Sequence, residues 1–146
     1  MTIIRRFVLV ASLLTTLALT SLADVGTDAK DSFKVVQNMF ELVRSEYIEE
    51  TPPSDIVKGA FEALNKGMKE KGYTYQLPAV PDGMSMSEAE KFLSQNFVKV
   101  AESNPKVLTD NWLAHRVIEG MVEGLGDRYT VFMEPDEYRR LRESMS

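Results

Sequence analysis

Apolar side chains recur at helical spacing along most of this chain. In the first such stretch they lie three or four residues apart, at Phe33, Val36, Phe40, Val43 and Tyr47. This spacing puts them on one face of a helix, which we predict over residues 33–48 with Asp31 as its cap. Pro52 and Pro53 follow the stretch and end it, because proline cannot donate the next helical hydrogen bond.

A second helix is predicted over residues 54–71, with Ser54 as its N-cap and Gly72 as its stop. Its two faces differ in polarity, as is typical of a helix that packs on a core. The predicted inward positions are Ile56, Val57, Ala60, Phe61, Leu64 and Met68, and the predicted outward positions are Lys58, Glu62, Lys66 and Lys69.

The segment 73–85 has no sustained period and contains a Pro81-Asp82-Gly83 turn signal, so we expect it to be irregular. Ser87 and Glu90 match the capping-box pattern, which predicts a third helix over residues 87–101. The core side of this helix is expected at Phe92 or Leu93, then Phe97 and Val100.

A fourth helix is predicted over residues 110–125, starting near Thr109 or Asp110 and stopping at Gly126. Its apolar positions are Leu113, Val117, Ile118, Met121 and Leu125. A short extended apolar run is expected near 129–133, and a last helix over 135–146, with proline in its tolerated first turn. The predicted fold is therefore mainly α, a small helical bundle of about four to five helices with one short extended segment.

The second and fourth predicted helices resemble each other. Residues 56–64 can be laid over residues 117–125 so that a glycine, a glutamate and a leucine coincide. A duplicated helical pair is one hypothesis for this echo, and shared amphipathicity is the other.

The N-terminus has the order of a secretory signal peptide over residues 1–23. Arg5 and Arg6 precede a run without charged residues from Phe7 to Leu22, and small residues stand at Ser21 and Ala23. We therefore expect the chain to be exported, to the periplasm or the extracellular space. The alternative is an uncleaved membrane anchor, although polar residues dilute the run and a spanning helix needs about 20 apolar residues.

Composition narrows the classes of function. Cleavage after Ala23 leaves 123 of the 146 residues, enough for one modest domain, and changes the formal charge from −5 to −7 through loss of Arg5 and Arg6. An acidic body without a basic patch argues against nucleic acid as a partner. The absence of cysteine excludes disulfides, thiolate metal sites and cysteine nucleophiles.

No catalytic, cofactor-binding or metal-binding residues are predicted. The only histidine, His115, has no second ligand or nucleophile at a telling spacing. A serine with a lysine base needs a tight glycine-bearing turn to expose its oxygen, and none of the serines has that setting. Ser54 and Ser87 are interpreted as caps, Ser85 as a loop residue and Ser144 as part of the tail.

The stretch 117–138 has the order helix, glycine stop, extended aromatic segment and proline-started helix. Its Glu-Gly-Met and Leu-Gly-Asp elements resemble the segment that leads into the PDZ domain of carboxyl-terminal processing proteases, also called tail-specific proteases. Residues 40–48 are similar to the end of that family's N-terminal helix. The resemblance covers residues 33–48 and 110–146, and it departs from the family at Arg128, where proline is common.

The resemblance implies an N-terminal helical region of a serine endopeptidase that uses a Ser-Lys dyad. The family's PDZ domain, catalytic serine and catalytic lysine have no counterpart here, so we expect a truncated or split product without activity of its own. Such a region packs on the rest of the protease or dimerises. The expected contact residues are Phe33, Val36, Phe40, Val43 and Tyr47. The alternatives are a free-standing exported helical binding module or adaptor, and a structural domain unrelated to proteases.

Overall fold

The computed structural model describes residues 24–45, 51–126 and 135–145. The described residues form five α-helices and one 3-10 segment. They are α1 (24–45), α2 (Pro53–Glu70), α3 (Met86–Ser103), the 3-10 segment (Pro105–Asn111), α4 (Trp112–Gly124) and α5 (Pro135–Met145). The prediction of a mainly helical bundle is confirmed. The extended run predicted near 129–133, the predicted signal peptide and Tyr47 lie outside the described residues.

Helices α1 to α4 and the 3-10 segment bury one continuous hydrophobic core. Its largest fully buried side chains include Phe40, Phe97, Ile56, Leu64, Leu93, Leu113 and Met121. All six inward positions predicted for α2 are buried, as are all five predicted for the fourth helix. On α3 the core position is Leu93, and Phe92 is half-buried beside the core.

Helix α1 is longer at its start than predicted. It is already helical at Asp24, so the prediction that Asp31 caps it is wrong. Val25 and the fully buried Ala29 extend the apolar face upstream of Phe33, and this burial favours continuing the helix. Asp31 is instead an exposed residue inside the helix, and its carboxylate pairs with the Lys34 ammonium at 2.7 Å.

Helices α2 and α4 run antiparallel and approach until their backbones touch. A Cβ added at Gly59 would lie 2.2 Å from the carbonyl oxygen of Gly120, and a Cβ added at Gly120 would lie 2.2 Å from that of Gly59. One turn further on, a Cβ at Gly124 would lie 2.6 Å from the Asp55 carbonyl oxygen. The two glycines that coincide in the sequence echo therefore meet across this crossing.

The cap of α3 differs from the predicted one. The Ser85 hydroxyl accepts a hydrogen bond from the Glu88 amide at 3.2 Å, and the Glu88 carboxylate accepts one from the Ser85 amide at 2.8 Å. The capping box is thus two residues earlier than the predicted Ser87–Glu90 pair. Glu90 points to α1 instead, where Arg44 donates to it at 2.7 Å. The Ser85 amide, which donates to the Glu88 carboxylate, and then the Ser85 side chain hold the pKa of Glu88 below its usual range.

Two further helix starts differ from prediction. Pro52 occupies the N-cap position of α2, and the buried Ser54 accepts a hydrogen bond from the Met84 amide at 3.4 Å. Asp110 and Asn111 adopt left-handed conformations with φ of 54° and 56°, so α4 begins at Trp112 rather than near residue 110. Aspartate and asparagine tolerate this conformation better than other residues with a side chain, because their short polar groups can form local hydrogen bonds. The glycine stops at Gly72 and Gly126 are confirmed, with φ of 73° and 67°.

Alanine at the helix crossing tests the backbone contact between α2 and α4. We expect Gly120→Ala to destabilise the protein by more than about 2 kcal/mol, because the added methyl group collides with the backbone of α2. The free energy of unfolding from urea titration measures this effect.

Gly26→Ala in α1 is the matched control. Its added Cβ meets only the Glu102 carboxylate oxygen at 3.6 Å, an ordinary contact. We expect it to be neutral or to stabilise by up to about 1 kcal/mol, as alanine does in an open helix position. Equal effects of the two substitutions would contradict the close crossing.

The observed cap predicts unequal effects for two nearby serines. Ser85→Ala should destabilise the protein by about 1 kcal/mol, because it removes the acceptor for the Glu88 amide. Ser87→Ala, at an exposed position inside α3, should change stability by less than about 0.5 kcal/mol. Urea unfolding of both variants measures the difference, and a larger loss at Ser87 would restore the sequence-based assignment of the cap.

Candidate interaction surfaces

The outward side of α1 carries two large apolar side chains that the core does not cover. Val35 is 37% exposed and Leu42 is 49% exposed, and these are the exposed large hydrophobic residues of the described chain. They lie seven residues apart, so they project from the same side of the helix. Half-buried Met39 lies between them at the edge of the core. We call these three residues the α1 outer face.

The apolar stripe predicted to contact a partner lies on the other side of α1. Phe33, Val36, Phe40 and Val43 are at most 3% exposed and belong to the chain's own core. The Phe33 ring packs edge-on against that of Phe97 on α3, with 5.2 Å between ring centroids. The sequence left open whether this stripe packs on its own chain or on a second copy. The four described residues pack on their own chain, so a partner of α1 needs the outer face.

Polar groups border the α1 outer face. On one flank Asp31 and Lys34 form an exposed ion pair. On the other flank the Ser32 hydroxyl donates to the side-chain oxygen of Asn111 at 3.1 Å. The α1 outer face is thus a small apolar patch bordered by polar groups. Sequence reasoning missed this face, although the spacing of Val35 and Leu42 outside the core stripe was a visible signal.

A second surface lies where the chain leaves α2. In residues 73–77, which we call the strap, Tyr73, Tyr75 and Leu77 are half-buried against the core, whereas Thr74 and Gln76 are exposed. Burial that alternates from one residue to the next indicates an extended backbone, because successive side chains of a strand point to opposite faces. The prediction that residues 73–85 are irregular is confirmed, since they belong to no helix or strand. The alternation of apolar and polar residues within 73–77 was visible in the sequence.

The strap borders an open groove of about 570 Å³. The groove is lined by Asn65, Met68, Lys69, Gly72, Tyr73, Thr74, Tyr75 and Gln76. Lys69 is the one charged residue of this lining. The groove therefore combines apolar and aromatic walls with a single positive charge.

The far end of the 73–85 segment is fastened to α2 by polar contacts. The Lys58 ammonium lies 2.7 Å from the Asp82 carboxylate, and the Met84 amide donates to Ser54. The hydrogen bond and charge of Lys58 lower the pKa of Asp82, and those of Asp82 raise the pKa of Lys58. Both ends of the segment are thus held against the bundle, since the Tyr73 amide donates to the Met68 carbonyl oxygen at 2.8 Å.

A smaller depression, of about 220 Å³, lies between α2 and α4 and is lined mainly by charged side chains. They are Glu62, Lys66, Glu70, Arg116, Glu119 and Glu123. Arg116 and Glu119 form an ion pair of 2.6 Å there. Within the described ranges, no group of three or more histidine or acidic side chains is arranged to hold a metal ion.

The residues considered for catalysis belong to different elements of the fold. His115 is half-buried on α4, Ser87 is exposed on α3, and Ser144 is exposed on α5. The hydroxyl groups of Ser54 and Ser85 each accept a hydrogen bond from a backbone amide, which is a structural role.

Over the described ranges, every helix is too short or too polar to cross a bilayer. Comparisons of the chain with protein-family models, with curated proteins and with solved structures found no match.

Proposed function

We propose that this chain is the exported helical region of a carboxyl-terminal processing serine protease, and that its role is to pack against a second copy. The family assignment rests on the sequence resemblance of residues 33–48 and 110–146. The parent reaction is hydrolysis of peptide bonds near protein C-termini. The residues that perform it in the family have no counterpart in residues 1–146, so the proposed role of this chain is contact between proteins.

The α1 outer face carries the proposal. Two copies of α1 can pack antiparallel about a twofold axis that passes between residues 38 and 39. Val35 of each copy then lies opposite Leu42 of the other copy. Such a twofold interface is self-complementary, because the same patch serves both partners. Three side chains bury far less than the roughly 1,200 Å² of a stable interface, so we expect weak association.

A charge placed in this face tests the proposed association. We expect Leu42→Glu to weaken self-association at least tenfold, because the two acidic groups would face apolar side chains across the interface. Sedimentation equilibrium of the purified chain over a wide concentration range measures the dissociation constant.

Gln95→Glu on the exposed side of α3 adds the same charge away from the α1 outer face. It should associate as the unaltered chain does. A chain that stays monomeric at every concentration, or that responds equally to both substitutions, would contradict the proposed role.

The second candidate is a free-standing exported binding module. The observation that favours it is the continuous core, in which α1 to α4 cover one another's apolar faces within a single chain. A monomer that unfolds in one cooperative transition and is indifferent to Leu42→Glu would support this alternative.

Export is the other part of the proposal, and it rests on the order of residues 1–23. In a bacterial host with a general secretion pathway, we expect the exported chain to begin at Asp24, because signal peptidase requires small residues just before the cut. The intact mass of the chain from the periplasmic fraction measures its N-terminus.

Ala23→Phe should block this cleavage, whereas Leu22→Phe, at a position the peptidase does not read, should leave it unchanged. Recovery of the unaltered chain from the cytosol with Met1 or Thr2 at its start would contradict the export proposal.

A further inference from the structure

The strap presents backbone groups that the other described residues do not use. Among the described residues, none accepts a hydrogen bond from the amides of Tyr75 or Leu77. In an extended chain, the amides of alternate residues point to the same edge. The Tyr73 amide points to the end of α2, where it donates to Met68. The alternation therefore puts the amides of Tyr75 and Leu77 on that same edge; Tyr75 lines the groove, and Leu77 follows its last lining residue, Gln76.

An extended segment with unpaired donors and acceptors along one edge is a template for another strand. The four strap residues that line the groove, 73–76, span about 13 Å at about 3.3 Å per residue. A second strand paired with this edge would lie about 4.8 Å to the side of the strap. The length of the edge suits a partner segment of about four residues.

The charge of the groove indicates which segment fits. Lys69 is exposed and forms no ion pair with a described residue, whereas the chain as a whole has a formal charge of −5. A carboxylate on the incoming strand would complement this cation. A second copy of the strap offers none, since residues 73–77 carry no acidic group and a twofold pairing would bring Lys69 toward its own mate.

We propose that the strap and its groove bind an extended acidic peptide of a partner protein, which pairs its backbone with Tyr75 and Leu77 and places a carboxylate near Lys69. The backbone pairing supplies affinity with little dependence on sequence, and the groove selects the side chains that alternate along the strand. This site is separate from the α1 outer face, so it stands or falls independently of the proposed self-association.

A short synthetic peptide tests the proposal. The probe is acetyl-Thr-Val-Asp-Val-Glu-Val-Thr-amide with a fluorescent label. Its binding to the chain of residues 24–146 is followed by fluorescence anisotropy. N-methylation of its three valine amides removes backbone donors and should weaken binding about tenfold or more. Equal binding of the methylated and unmethylated peptides would overturn the proposal.

Amide exchange locates the contact on the chain. With the peptide bound, the amides of Tyr75 and Leu77 should exchange more slowly, whereas those of Thr74 and Gln76, on the opposite edge, should be unchanged. Binding without protection of Tyr75 and Leu77 would overturn the proposal. Protection that rises with protein concentration in the absence of peptide would also overturn it, because a second copy would then be the occupant.

A charge reversal tests the selectivity. Lys69→Glu should weaken binding of the acidic peptide about three- to tenfold, the range expected when a surface ion pair is replaced by repulsion. Lys99→Glu, at an exposed position on α3, is the matched control and should leave binding unchanged. Equal losses from both substitutions would show that only overall charge matters, and this result would overturn the assignment of Lys69.

Discussion

The backbone contact between Gly59 and Gly120 is the constraint on which the rest of this bundle depends. Each glycine leaves the space that a Cβ would fill, and the carbonyl oxygen of the other helix lies there. This close crossing fixes α2 and α4 as one antiparallel pair. Their ends are then in register, so that the Thr51 hydroxyl can donate to the Leu125 carbonyl oxygen at 3.2 Å. The apolar faces of the pair become a surface that the other helices cover.

The covering by α1 and α3 explains why Val35 and Leu42 are the exposed large apolar side chains among the described residues. Phe33 packs against Phe97, and Arg44 bridges from α1 to Glu90, so these two helices are joined at the core and at its rim. Because the apolar stripe of α1 that contains Phe33 packs on the core, Val35 and Leu42 are the large apolar side chains of α1 that another molecule can contact. The polar contacts among the described residues include the cap of α3, ion pairs and the contacts that hold the 73–85 segment on α2.

The two proposed surfaces act through different physical interactions. The α1 outer face offers apolar side chains, so contact there is driven by release of water from hydrocarbon and has little directionality. The strap offers amide and carbonyl groups, whose hydrogen bonds to water must be replaced with good geometry by any partner. A single salt-sensitive charge, Lys69, adds selectivity to the strap.

The sequence by itself determined the helices, the inward positions of α2 and the glycine stops, because helical periodicity and positive φ are local properties. It could not determine the cap of α3. Ser85–Glu88 and Ser87–Glu90 both satisfy the capping-box spacing, and only the packing of α1 on α3 assigns Glu90 to Arg44. The sequence likewise showed glycines within two helices but not that they meet. Tertiary structure decided the close crossing, the burial of the α1 stripe and the exposed faces, because each depends on residues far apart in the chain.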